Sequence, residues 1–170
     1  DLVRLMDALE NIRITAPTAL PQDVSHDTAD WYALATTLKN TSKHIMGTAV
    51  GAGFVKDAVQ MASLAVGNEQ LFRERPFISF SILTFPPFQI DRLSLEALME
   101  LSRQNIPVAL SSGPILGVTS PVTMADSTAQ VHAENLACLV LHQLVRPGAS
   151  FIYTSFARSF DMQTVNIAMA

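Results

Sequence analysis

Residues 105–148 read NIPVALSSGPILGVTSPVTMADSTAQVHAENLACLVLHQLVRPG: an apolar strand, a loop of Gly, Pro, Ser and Thr, and a long helix almost free of charge. No Lys or Arg falls between Gln104 and Val145, and the acids there are Asp126 and Glu134. A solvated helix face carries charged and polar side chains, so a strand and helix this poor in charge are expected to be buried. The loop between them is then held at both ends. The strand at 107–110 runs into Ser111 and Ser112, and in parallel α/β sheets ligands bind at the carboxyl ends of strands. Small side chains at that end leave room for one.

Working outward, the same alternation recurs. Leu2, Val3, Leu5, Met6 and Leu9 give helical spacing over 1–10. NIRITA at 11–16 predicts a short strand, stopped by Pro17 and a Pro21-Gln22-Asp23 turn. A helix over 28–38 has Ser25 or Asp27 available as its cap. A strand at 43–46 and a loop at 47–53 precede a helix over 54–66 that ends on Gly67-Asn68. A strand at 77–83, rich in β-branched and aromatic residues, is closed by Pro86-Pro87. The next helix, 91–104, turns Leu93, Leu95, Leu98, Met99 and Leu101 inward. After the quoted strand come a helix over 122–145, the Pro147-Gly148 turn and a fifth strand at 151–154.

Strands alternating with helices at this spacing form βαβ units and a parallel sheet. Five such strands fit part of a (β/α)8 barrel or an open doubly wound sheet, and their brevity favours the barrel. No low-complexity stretch or linker divides the chain, so residues 1–170 read as one partial barrel domain.

Composition narrows the function. Hydrophobic residues make up 49% and charged residues 15% of the 170, apolar enough that something beyond this chain is expected to cover part of it. No apolar run reaches the roughly 18–20 residues that cross a bilayer, so the chain reads as cytoplasmic with no membrane partner. One cysteine, Cys138, excludes an internal disulfide or a cysteine metal cage. A net charge of −4 argues against nucleic acid. The chain begins at Asp1 within a helical pattern and ends at Met169-Ala170, which reads as a slice of a longer protein.

Several groups could carry chemistry. Thr119, Ser120 and Thr123 stand before the long helix, whose free N–H groups and dipole favour an anion such as a carboxylate. The structural alternative has Thr119 and Ser120 capping the helix and Pro121 in its first turn. The glycines at 47, 51 and 53 lack the Gly-Lys-Ser/Thr ending of a phosphate loop and read as a tight turn. Cys138 and His142 are one turn apart, as two metal ligands on a helix would be, but no further ligands accompany them and buried packing is the better reading. Glu134 and Asn135, set in the apolar helix, must find hydrogen-bond partners. Thr18, Asp23, Lys43, His44 and Thr84 are further candidates at strand ends. Phe80, Phe85, Phe88, Tyr153 and Phe156 could face a quaternary ammonium ion.

The run GPILGVTSPVTMA, with Gly113, Gly117, Thr119, Pro121 and Thr123, leads into AENLACLVLHQLVRPGA, with Glu134, Leu136, Ala137, Gln143, Pro147 and Gly148. Together they resemble the trimethylamine methyltransferase family, corrinoid-dependent methyltransferases of methylamines and quaternary amines. LPQDV at 20–24, NTSKHI at 40–45 and Asp161-Met162 extend the likeness over nearly the whole chain, while Asp126 stands where the family pattern favours Gly. The resemblance implies a (β/α)8 barrel that moves a methyl group from trimethylamine or a quaternary amine such as glycine betaine to a corrinoid (cobalamin) carried by a partner protein. No metal ion is expected on this chain, and no pyrrolysine occurs in it. The substrate would meet Ser111, Ser112, Gly113, Gly117, Thr119, Thr123, Glu134, Tyr153, Ser155 and Phe85, and the protein is expected to form a homo-oligomer. A non-catalytic barrel subunit, or a barrel enzyme for a phosphorylated small molecule at the loops around Gly47 or Gly113, is the alternative.

Overall fold

In a computed structural model that describes residues 1–168, the chain is a mixed α/β fold; Met169 and Ala170, read as the end of a slice, lie outside the described residues. Five strands, β1 (Ile14–Thr15), β2 (His44–Thr48), β3 (Ile78–Leu83), β4 (Val108–Ser112) and β6 (Phe151–Ser155), form one sheet in the order β1-β2-β3-β4-β6. Every pairing is parallel. Helices α2 (Ala29–Asn40), α3 (Gly51–Val66), α5 (Arg92–Gln104) and α6 (Met124–Val145) are the crossovers between successive strands. Strand order follows chain order without reversal, whereas a doubly wound sheet reverses at its switch point. A sequential order of this kind is consistent with a segment of an α/β barrel.

Period-two alternation divides the strands between two faces. Ile45, Ile78, Phe80, Ile82, Val108 and Leu110 face the helices and build the core with Phe54, Val55, Leu98 and Leu101. The other face carries the small Ser79, Ser81, Ala109 and Ser111 of β3 and β4, with His44 Nε2 2.8 Å from Ser79 Oγ. At about 25 cal/mol per Å² of apolar surface, burial against the helices is the dominant stabilising term.

Several expectations are corrected. Gly47 and Thr48 finish β2 and Gly51 already belongs to α3, so the 47–53 loop shrinks to Ala49 and Val50. Leu93 is exposed on the outer side of α5, whose N-cap is Asp91. Lys43 and His44 lie at the start of β2 rather than its carboxyl end, and Lys43 Nζ donates to the carbonyls of Met6 and Leu9 at the end of α1 (Leu2–Ala8). Phe80 is enclosed by the core, edge-on to Phe54, and is not free to face a ligand. A short helix, α4 (Glu69–Glu74), follows Gly67, which closes α3 in the left-handed region. A second sheet, with β5 (Ile115–Leu116) parallel to β7 (Arg158–Asp161) and β7 antiparallel to β8 (Asn166–Ala168), was not foreseen. Helix α6 is not buried all round either: Leu136, Val140 and Leu144 on its outer side are 40%, 58% and 76% exposed.

Candidate functional site

The carboxyl ends of β3, β4 and β6 are drawn together by two neighbouring residues of α6. Glu134, buried, takes four hydrogen bonds. Its Oε2 accepts from Thr84 Oγ1 at 2.6 Å and Ser112 Oγ at 2.7 Å. Its Oε1 accepts from the Phe88 N–H at 3.0 Å and Gln130 Nε2 at 3.1 Å. Asn135 Nδ2 donates to the Thr154 carbonyl at 2.8 Å, which adds β6. A carboxylate offers about four lone-pair sites, so the acceptor capacity of Glu134 is filled by this clamp.

All four donors are neutral, and among the described residues no ion pair involves Glu134. Burial pushes its carboxyl up, but the bonds from Phe88, Thr84, Ser112 and Gln130 outweigh burial and leave the pKa below the ordinary 4.5. The site thus holds a buried, ionised carboxylate without a protein counter-charge. Its field reaches Cys138 one turn away, whose thiol is pushed up to about 11 by burial and then by Glu134. A cavity of about 110 Å³ lies between the two, lined also by Thr84, Phe88 and Ile90.

The segment from Thr84 to Ile90 is folded back on itself, with Phe85 and Gln89 exchanging backbone hydrogen bonds of 2.7 and 3.1 Å. Phe88 has φ +55°, a conformation that costs a side-chain-bearing residue about 1–2 kcal/mol; its N–H bond to Glu134 is what that backbone gains. Phe85 and Phe88 consequently stand out from the strand ends, 56% and 68% exposed.

The remaining predicted positions divide into groups. Ser111 and Thr154 are hydrogen-bonded side chain to side chain on the face away from the helices, and Thr154 Oγ1 also donates to the Leu110 carbonyl at 2.7 Å. Ser112 points the opposite way, to Glu134. Gly113 allows Phe156 to approach, since an added Cβ would sit 3.3 Å from Phe156 Cβ. The Arg158 guanidinium lies over the Phe156 ring, 4.4 Å from its centroid. Gly117, at φ +79°, turns the loop back so that its N–H reaches the Ser120 carbonyl. Thr119 and Ser120 do not cap α6: Thr119 Oγ1 accepts from the Ile115 N–H at 2.8 Å, and Ser120 pairs with Ser127. The cap is Thr123, which accepts from the Asp126 N–H and donates to Asp126 Oδ2. Asp126 in the first turn suits the helix dipole.

Tyr153 and Ser155 are not brought to Ser111. Tyr153 lies on the helix-covered face of β6, 2.9 Å from His132 Nδ1, and Ser155 Oγ accepts from the Ala157 N–H. Both nitrogens of His142 are engaged with Ser102 Oγ and the Ser150 carbonyl, and no metal-holding group of His, Cys, Asp or Glu occurs among the described residues. Sequence reasoning missed Gln130 and the backbone of Phe88. Gln130 sits one helical turn before Glu134, a signal that was readable; the Phe88 N–H carries no side-chain signature.

The family sequence model described as Trimethylamine methyltransferase (MTTB) matches residues 1–169. The chain is 31% identical to a trimethylamine methyltransferase MttB of Desulfitobacterium hafniense, over 97% of this chain and 33% of that protein. It is 28% identical to a glycine betaine methyltransferase from another strain of that species, over 99% of this chain and 36% of the relative. Against a Methanosarcina barkeri trimethylamine methyltransferase MttB the identity is 29%, over 96% of this chain and 33% of that protein. The chain thus spans about a third of the length of these relatives. A parallel sheet in sequential order, strand ends clamped by Glu134 and a match along almost the entire length lead to one conclusion: this chain belongs to the trimethylamine methyltransferase family.

Proposed function

We propose that the full-length protein carrying this chain is a methyltransferase that takes a methyl group from trimethylamine or a quaternary amine such as glycine betaine and delivers it to a corrinoid on a partner protein. In this reading the chain is one domain segment supplying five strands of a (β/α)8 barrel. The relatives named as trimethylamine and glycine betaine methyltransferases support the donor class. The observation that carries it is the buried Glu134 carboxylate, which keeps its charge but has no acceptor site to spare.

Such a group suits a ligand that is cationic yet cannot hydrogen-bond through its charged centre, which describes a quaternary ammonium ion. At an effective dielectric of 20, a unit charge about 6 Å away is attracted by roughly 3 kcal/mol before desolvation is counted. Phe85 and Phe88, held on the clamped loop, offer aromatic faces to the same cation. A corrinoid would supply the methyl-accepting metal, and Phe85 and Phe88 would form the apolar rim that meets it. The task of this chain is to bind and orient the amine and to exclude water. The phosphate alternative fits less well, because Glu134 would repel an anion at the Gly113 loop.

The test is methyl transfer by the full-length protein with trimethylamine and with glycine betaine as donors and reduced cobalamin as acceptor, followed by the corrinoid spectrum. Transfer from either donor is the expected result and identifies the substrate. Absence of transfer from any methylated amine, under conditions where an active family member turns over, would sink this function.

A further inference from the structure

The elements that donate to the Glu134 carboxylate are the 84–90 segment, β4 and α6, and none of them carries a base. No Lys or Arg occurs between Arg75 and Arg92 or between Arg103 and Arg146. Side chains four apart on a helix are neighbours, so residue 130, on the same buried side of α6, is a place from which a base would reach Glu134. That place holds Gln130, itself 7% exposed. Its Nε2 donates to Glu134 Oε1 at 3.1 Å and to the Thr119 carbonyl at 3.0 Å. An ionised carboxylate and a backbone carbonyl only accept, so the amide must turn its nitrogen to them, and both of its hydrogens are then used.

We propose, on the amine-binding reading above, that Gln130 sets the charge selectivity of the site. It gives Glu134 the hydrogen bond that a Lys or Arg would give but withholds the charge, which stays available to a cation with no proton to donate, a quaternary ammonium ion. A Lys or Arg at 130 would pair with the carboxylate at hydrogen-bond distance and cancel the field that draws such an ion. A base from elsewhere in the full-length protein would find no lone pair open, because the bonds from Thr84, Ser112, Phe88 and Gln130 fill Glu134 from within this chain. The second bond of Gln130 has its own effect. Through the Thr119 carbonyl it ties the 117–120 turn to the carboxylate that also holds Phe88, so the loops after β3 and β4 are fastened to one charged group.

The test is calorimetric titration of the full-length protein with tetramethylammonium, a permanent cation that has no N–H. The unaltered protein is expected to bind it. Gln130→Lys keeps a donor for both partners and adds a charge, so it should bind at least about tenfold more weakly while unfolding at an equal or higher urea concentration. Gln130→Met removes both bonds and adds no charge. It should be the less stable of the two variants and yet the better binder, an inverse order that a merely structural residue would not produce. Thr128→Lys adds the same charge at an exposed position of α6 and should leave the affinity within about twofold, since solvent screens it. If the unaltered protein binds no methylated ammonium ion, the amine reading falls and takes this inference with it. If it binds, and Gln130→Lys weakens binding no more than Gln130→Met does, the inference alone is overturned. Should Gln130→Lys fail to fold, Gln130→Arg is judged by the same order.

Discussion

Helix α6 holds two buried polar centres, one at each end of the sheet. At the carboxyl ends of the strands Glu134 is ionised and saturated by four neutral donors. Two turns later, at the amino ends, His142 is neutral. Burial holds its pKa below the ordinary 6.5, against the opposing pull of bonds to the backbone at Ser150 and Ala149. Nε2 stands 3.2 Å from the Ser150 carbonyl and Nδ1 2.6 Å from Ser102 Oγ, whose hydroxyl in turn donates to the Leu98 carbonyl at 2.6 Å. Both centres fasten α6 to the sheet and α5. Only the Glu134 centre retains a charge, and in barrels the carboxyl-terminal face carries chemistry while the other carries stability.

The sharpest way to break this contrast is to remove each centre. Glu134→Ala strands four buried donors and should destabilise by about 3–5 kcal/mol in urea unfolding, with loss of amine binding. Glu134→Gln should cost nearly as much, because its amide NH₂ must face donors. His142→Leu should cost about 1–3 kcal/mol, mainly through the unpaired Ser150 carbonyl, and leave amine affinity of the full-length protein unchanged. If His142→Leu weakened amine binding as much as Glu134→Ala, the division between the ends would fail.

Acid should separate the two. His142 has a folded pKa below 6.5, so its contribution is complete above pH 6.5 and declines as the pH falls toward the folded value. Glu134 has a folded pKa below 4.5, so its contribution is present above pH 4.5 and is lost only as pH falls through that lower value. His44, lowered by burial, shares the first window, and Asp7, Asp91 and Asp161 share the second. Urea unfolding across pH should therefore lose stability in two stages, with His142→Leu reducing the first and sparing the second.

Two smaller effects refine the Glu134 centre. Ser112→Ala removes one of its donors and should cost about 1 kcal/mol, read as a lower urea midpoint with unchanged slope. Phe88→Gly relieves a left-handed backbone but gives up an exposed ring, so stability should change by less than about 1 kcal/mol while the KM for the amine rises.

Much of this architecture was legible because it depends on local pattern. The strands that became β2, β3, β4 and β6 announced themselves by apolar runs between helical periods, and an acid at 134 amid Ala and Leu had to be paired. What stayed hidden depends on distant partners. Thr123 outcompetes Thr119 as the cap because Thr119 is already committed to the Ile115 N–H. Strands β5, β7 and β8 are short and exist through pairing with one another. The low charge of α6 suggested burial on all sides, whereas the fold covers one side and leaves the other exposed. The sidedness of Tyr153 followed from register, which no single-strand pattern reveals.

Strand β6 pairs with β4 along one side only among the described residues. Its five residues leave a row of backbone donors and acceptors on the other side, a template that any extended segment can read. The hydrogen bonds that would seat a neighbouring barrel strand are the same ones that would recruit a stray chain. Expression of this segment alone is thus a contest between closure and aggregation, and a Lys introduced at Ile152 would tilt the contest toward solubility.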